Sequence, residues 1–196
     1  MDLFQPEFLQ RFCSTNDEHH YVSKPYKCEI DGDIRSVATD GRIGVVIEQD
    51  LGFDDSPRKN FGQAILTREK ATVEVKVSEL KEFAGPDELT QWKAQQNLPC
   101  PKCGQMYSVD CPECEARGEW PHRPGIIHGR VINRNHLAML CAGIPDKTVK
   151  ISEPLIVNYG QKPLFIQGDG WYAFIMYVFE DDREDVPVFD GSQIEL

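Results

Sequence analysis

Four cysteines stand in two matched pairs, Cys100-Pro-Lys-Cys103 and Cys111-Pro-Glu-Cys114, with seven residues between them. Each pair is a C-x2-C turn. The spacing lets two turns present four thiolates to one tetrahedral ion, the coordination that structural Zn2+ takes. Gly104 follows the first pair, and a tight turn that aims backbone N–H groups at sulfur suits a residue with no Cβ. The alternatives are two disulfides, four free thiols or a redox C-x-x-C. Nothing else in the chain points to an oxidising compartment, and a redox pair needs one copy inside a thioredoxin-like βαβ pattern that the sequence lacks. Four thiolates fill the coordination sphere, so the expected zinc is structural and keeps no position for a reactive water. His122 and His128 flank the module and are the alternative ligands.

The same region is the most basic part of an acidic chain. The formal charge is −11 over 196 residues. Such a surface repels nucleic acid over most of its area, so any contact with DNA must be local and weak. Arg117, Arg123, Arg130 and Arg134, with Lys102, are the candidates for phosphate contact, and Tyr107 and Trp120 could stack a base. Asp110, Glu113, Glu115 and Glu119 dilute that patch. No P-loop, dinucleotide fingerprint, nucleophile elbow or H-E-x-x-H string occurs, so no enzymatic activity is expected. His19-His20, after Asp17-Glu18, and the run of six carboxylates against Arg183 from Glu180 to Asp190 read as solvated segments.

Hydrophobic residues make up 40% of the chain, enough for a core. No apolar run is long enough to cross a bilayer, and Met1-Asp2-Leu3-Phe4-Gln5-Pro6 lacks the basic and apolar regions of a signal peptide. A cytoplasmic location with no membrane partner is the expectation. Cys13, Cys28 and Cys141 each sit in apolar-patterned segments and read as small buried hydrophobes.

The elements that must position these groups repeat. At an offset of 129 residues Leu3 matches Ile132, Phe8 matches Leu137 and Phe12 matches Cys141. Tyr26 then matches Leu155, Cys28 matches Val157, and Asp40-Gly41 matches Asp169-Gly170. Val45-Val46-Ile47 matches Phe174-Ile175-Met176. The pattern suggests an internal duplication. Each copy predicts a short amphipathic helix, over 6–13 or 135–142, followed by an antiparallel meander punctuated by Asp-Gly turns. The second meander is expected to begin with Leu155, Val157 and Tyr159 and to turn at Gly160. Between the copies, a strand is predicted over 72–77 and helices over 78–84 and 87–96. The expected organisation is a first half over 1–50, a connecting insertion over 51–98, the zinc module over 99–120, and a second half with an acidic tail over 121–196.

Three strings carry a family likeness. Val37-Ala38-Thr39-Asp40-Gly41-Arg42 is one; Val131-Ile132-Asn133-Arg134-Asn135-His136-Leu137 with Gly143-Ile144-Pro145 is the second. Pro163-Leu164-Phe165-Ile166 through Ala173-Phe174-Ile175-Met176 is the third. Together they resemble one domain of the bacterial sliding clamp, the DNA polymerase III beta subunit, over about half the chain. The resemblance implies an α+β, DNA-clamp-like domain of two helix-plus-meander halves with an inserted zinc ribbon or knuckle. It also implies a non-enzymatic accessory role in DNA replication or repair, acting as a scaffold for a replication protein. Some phage- and plasmid-type clamp-like proteins carry inserted C-x2-C modules, which is similar to the arrangement here. A bacterial clamp subunit has three such domains and this chain has room for one, so a ring of that size would need about six copies as a homo-oligomer. Clamp helices carry Lys and Arg toward DNA, whereas here the first offers only Arg11 and the second Arg134 and Lys147. The alternative is therefore a phage-type interaction factor that binds a host protein without binding DNA. The terminal Gln193-Ile194-Glu195-Leu196 looks like a shortened form of the peptide by which polymerases dock on clamps.

Overall fold

The computed structural model describes residues 2–14, 23–53, 71–96, 98–105, 111–113, 122–155, 162–178 and 186–189. Helix α1 (Pro6–Leu9) starts on a proline, which loses no hydrogen bond in a first turn, and tightens into a 3-10 turn over Gln10–Phe12. Strands β1 (Tyr26–Ile30), β2 (Asp33–Thr39) and β3 (Ile43–Ile47) follow as a meander. Next come β4 (Ala71–Lys76), α2 (Val77–Ala84) and α3 (Glu88–Gln96). After the cysteine module, β5 (Pro124–Ile127) and β6 (Arg130–Asn133) lead into α4 (Arg134–Cys141). The second meander is β7 (Thr148–Ser152), β8 (Leu164–Gly168) and β9 (Trp171–Ile175), and β10 (Val188–Phe189) ends the described chain. No helix among the described residues is long and apolar enough to cross a membrane.

The two meanders meet at their last strands. β3 and β9 run antiparallel, with Ile43 opposite Ile175 and Ile47 opposite Trp171. The result is a seven-stranded sheet in the order β1-β2-β3-β9-β8-β7-β4, beside a smaller sheet ordered β10-β5-β6. The fold is thus mixed, with an antiparallel main sheet. Asp31-Gly32 turns β1 into β2 with both residues left-handed (φ 56° and 87°), the pair of angles a two-residue hairpin requires. His128-Gly129 does the same between β5 and β6 (φ 49° and 78°).

The duplication holds in the hairpins, but at a shifted offset. Strand β3 begins at Ile43 and β9 at Trp171, a separation of 128 residues rather than 129. At 128, Val37 falls on Phe165 and Val46 on Phe174, all in one cluster on one face of the sheet. Ala38 then falls on Ile166, Val45 on Ala173 and Ile47 on Ile175, all in the main core on the other face. Because strand side chains alternate, a slip of one residue exchanges the faces, and an offset of 129 pairs Val45 with Phe174 from the opposite side. Apart from Leu155, the strand expected over 155–159 lies outside the described residues, and the described part of the second meander opens on a strand that the sequence reading did not name. β7 is Thr148–Ser152, where Val149 and Ile151 are buried and Thr148 and Lys150 exposed. Of the segment expected there, 156–161 lie outside the described residues.

Residues 71–89 are not an appendage between the halves. β4 pairs with β7, Val75 opposite Val149, and forms an edge of the main sheet. Val75, Val77, Leu80, Ala84 and Leu89 lie in the main core with Phe8, Phe12 and Leu137. The alternation of Val73, Val75 and Val77 marks a strand, but it does not say which strand it will join. α2 packs on α4, and every residue of α4 from Asn135 to Cys141 is buried.

Two tests address this core. Phe12 is fully buried and meets Phe8 edge-to-face at 5.6 Å between centroids. Replacing Phe12 with alanine is expected to destabilise the protein by about 3–5 kcal/mol in urea unfolding; a loss below 1 kcal/mol would place Phe12 outside the core. Burial also pushes the Cys141 thiol up to about 12 from an ordinary 9.0. The folded state then holds this proton more tightly than the unfolded chain does. That stabilisation is complete below about pH 9 and is lost as the pH climbs toward 12. Stability should therefore fall more steeply above pH 9 in the natural protein than in C141A, by up to about 1.4 kcal/mol per pH unit. Parallel profiles for the two proteins would refute this environment for the thiol.

Candidate functional site

The first C-x2-C turn forms a knuckle. The Gly104 N–H donates to the Cys100 carbonyl at 2.8 Å, and the Cys100 N–H donates to the Gln105 carbonyl at 2.7 Å. Gly104 is left-handed at φ 72°, a conformation that a Cβ would strain. The chain returns at Cys111. The sulfurs of Cys100, Cys103 and Cys111 all lie within 4.8 Å of one another, with Cys100 and Cys111 4.0 Å apart. Four sulfurs at about 2.3 Å from a tetrahedral zinc stand about 3.8 Å from each other. The three thiols therefore fit one metal ion with little movement. Cys13, Cys28 and Cys141 are buried elsewhere in the fold. Cys100 and Cys111 are buried against each other, and Cys103 is exposed. Cys114 lies outside the described residues.

The alternative histidine ligands go elsewhere. His128 occupies the β5–β6 turn, where its Nδ1 lies 2.7 Å from the Ser152 carbonyl. His122 lines a cleft of about 350 Å3 with Arg42, Asn133, His136 and Tyr177. This cleft was not legible in the sequence. Its one local signal is His136, a polar residue in a helix that is otherwise apolar from Leu137 onward.

The described arginines of the basic patch are engaged with other groups of the fold. Arg130 is buried, and its guanidinium donates from Nε to the Pro163 carbonyl (3.1 Å) and from Nη1 to the carbonyls of Glu153 (2.7 Å) and His128 (3.3 Å). A group with those partners and no exposure cannot reach a phosphate. Arg123 donates to the carbonyls of Ala84 (2.6 Å) and Pro86 (3.0 Å) and pairs with Glu88 at 3.2 Å. Arg134 donates to the Phe83 carbonyl at 2.8 Å and lies over the Phe83 ring. Burial, and then the neighbouring Arg123 charge, lowers its pKa. Arg117 lies outside the described residues. Arg11 is likewise engaged, joining α1 to Asp87 and Thr90 at the start of α3.

Arg123 works as a junction through its backbone as well. Its carbonyl accepts from the Arg134 N–H at 2.7 Å, and its N–H donates to the Asn133 side chain at 3.2 Å. The same Asn133 oxygen caps α4 by accepting from the Asn135 N–H at 3.0 Å. The residue that re-enters the fold after the cysteine module thus ties the end of α2, the start of α3 and the start of α4.

No family model matches the chain, and no curated protein matches it. Among solved structures the chain is similar to the beta sliding clamp of C. crescentus, determined with PEG bound, at 10% identity and a TM-score of 0.49. The match covers 91% of this chain and 63% of that clamp, so this chain spans less than two thirds of that clamp's length.

Proposed function

We propose that this chain is a non-enzymatic, sliding-clamp-like scaffold of DNA replication or repair, with a structural zinc ion holding the loop between α3 and β5. The observation that carries the reading is the paired meander. A helix followed by three antiparallel strands occurs twice, and the copies join through β3 and β9. The joined hairpins are those whose strings, Ala38-Thr39-Asp40-Gly41 and Phe165 through Met176, resemble the clamp family. A scaffold of this kind works by holding partners, so a replication protein is the expected partner. With one such domain per chain, encirclement would require self-assembly. The absence of paired acid–base or nucleophile motifs in the sequence favours a non-enzymatic role, although fold alone does not decide activity.

A second reading is a phage-type interaction factor that binds a host protein without DNA. One observation favours it: α4 is buried from Asn135 to Cys141, and Arg123, Arg130 and Arg134 hold carbonyls of the fold and not an outer ligand. Solution mass separates the two readings. Light scattering is expected to show a ring-sized assembly of about six chains under the scaffold reading; a monomer or dimer, with and without DNA, would favour the interaction factor.

Zinc is expected at one ion per chain on Cys100, Cys103 and Cys111, with Cys114 as the fourth ligand. Binding requires deprotonated thiols, so acid and strong chelators should release the metal. Elemental analysis of reduced protein finding well under one equivalent would reject the site. Cys103→Ser should lose the metal while the seven-stranded core stays folded, which far-UV circular dichroism and the urea midpoint would report.

A further inference from the structure

Arg123, Arg130 and Arg134 are engaged with carbonyls of the fold, whereas three lysines distant in sequence converge at the surface. Lys76 ends β4, Lys81 lies on α2, and Lys147 precedes β7. The β4–β7 pairing places Lys76 opposite Thr148, and the Val77 N–H donates to the Lys147 carbonyl at 2.9 Å. The three lysines line one cleft of about 500 Å3 together with Ser78, Thr148 and Asp146. All three are exposed. Three lysines and one carboxylate, that of Asp146, line the cleft, and this carboxylate accepts from the Trp171 indole N–H at 2.9 Å. Glu79 pairs with Lys76 at 3.3 Å, but both partners are substantially exposed, and such a pair is weak in water. Within an acidic chain this is a local positive pocket. The amino end of α2 opens onto it and adds partial positive charge.

We propose that this cleft binds phosphate groups of a nucleic-acid backbone. Lysine is a point-charge phosphate ligand that does not impose the fork geometry of arginine. Among the described residues no aromatic side chain lines the cleft to offer a surface on which a base would stack. It therefore recognises phosphate and not sequence. The inference rests on the scaffold reading for its choice of nucleic acid; the phosphate chemistry stands on the lysines alone.

The test is fluorescence anisotropy of a labelled duplex of about 20 base pairs with the full chain, from 25 to 150 mM NaCl. Contact with about three phosphates gives a log–log salt slope of about −2 to −3. The double variant K81E/K147E should weaken binding at least ~10-fold at 25 mM NaCl. K24E, an exposed lysine beside β1 at the opposite edge of the sheet, should leave binding within ~2-fold. If charge reversal alters the urea midpoint, K81Q/K147Q should still weaken duplex binding without that change. Equal weakening by K24E, or undiminished binding by the lysine variants, would overturn the proposal. So would no duplex binding at 25 mM NaCl. Calorimetry with inorganic phosphate at matched ionic strength identifies the source: phosphate binding without duplex binding would mean a free-phosphate site and would also overturn the assignment. Solution mass is read in parallel. A normal assembly whose duplex binding survives the lysine variants would sink this site and spare the scaffold.

Discussion

The pairing of β3 with β9 is the contact on which the rest depends. Each three-stranded meander alone has too little area to bury both of its faces. Joined, they form a sheet whose two central strands are buried at every position. The register of that joint is fixed sterically. Gly44 stands opposite Phe174, and the phenyl ring occupies the space where a Cβ at residue 44 would lie. A slip of one residue would drive a valine or isoleucine side chain against the ring and turn the core-facing set outward. Both faces carry apolar clusters, so register is specified from both sides.

The helical layer explains the character of the surface. α4 is buried from Asn135 to Cys141, with α2 against it and Arg123 tying their ends. Arg11, Arg123, Arg130 and Arg134 place their guanidinium groups on carbonyls, a hydroxyl and neighbouring carboxylates. Among the described residues, these cations are engaged with groups of the fold and leave little of their charge for an outer ligand. The basic residues left at the surface matter more for that reason, and the β4–β7 register gathers three of them in one place.

Features with a local mechanism were legible in the sequence. Asp31-Gly32, Asp40-Gly41 and Asp169-Gly170 mark turns because Asp-Gly tolerates the backbone angles that turns need. The helices at 77–84 and 134–141 begin within one residue of their expected starts. The knuckle at Cys100 is equally local. Pairing was not legible: nothing in Thr72 to Val77 names β7 as its partner, and the duplication was read one residue out of step in its hairpins. Arg130 was misread because its burial depends on the carbonyls of Glu153 and Pro163, which lie far along the chain, as well as on that of nearby His128, and no window around residue 130 contains the first two. Lys76, Lys81 and Lys147 were scattered for the same reason.

Arg130 has one more consequence. Its Nε and Nη1 hold the carbonyls of Pro163 and Glu153, the two ends of the stretch that connects β7 to β8. A single guanidinium therefore closes the stem of that connection. With the stem held in this way, the closure entropy of a longer connection rises by only about 0.6 kcal/mol for each doubling of its length. This makes the β7–β8 connection a natural place for residues to be gained, lost or grafted while the two meanders keep their register.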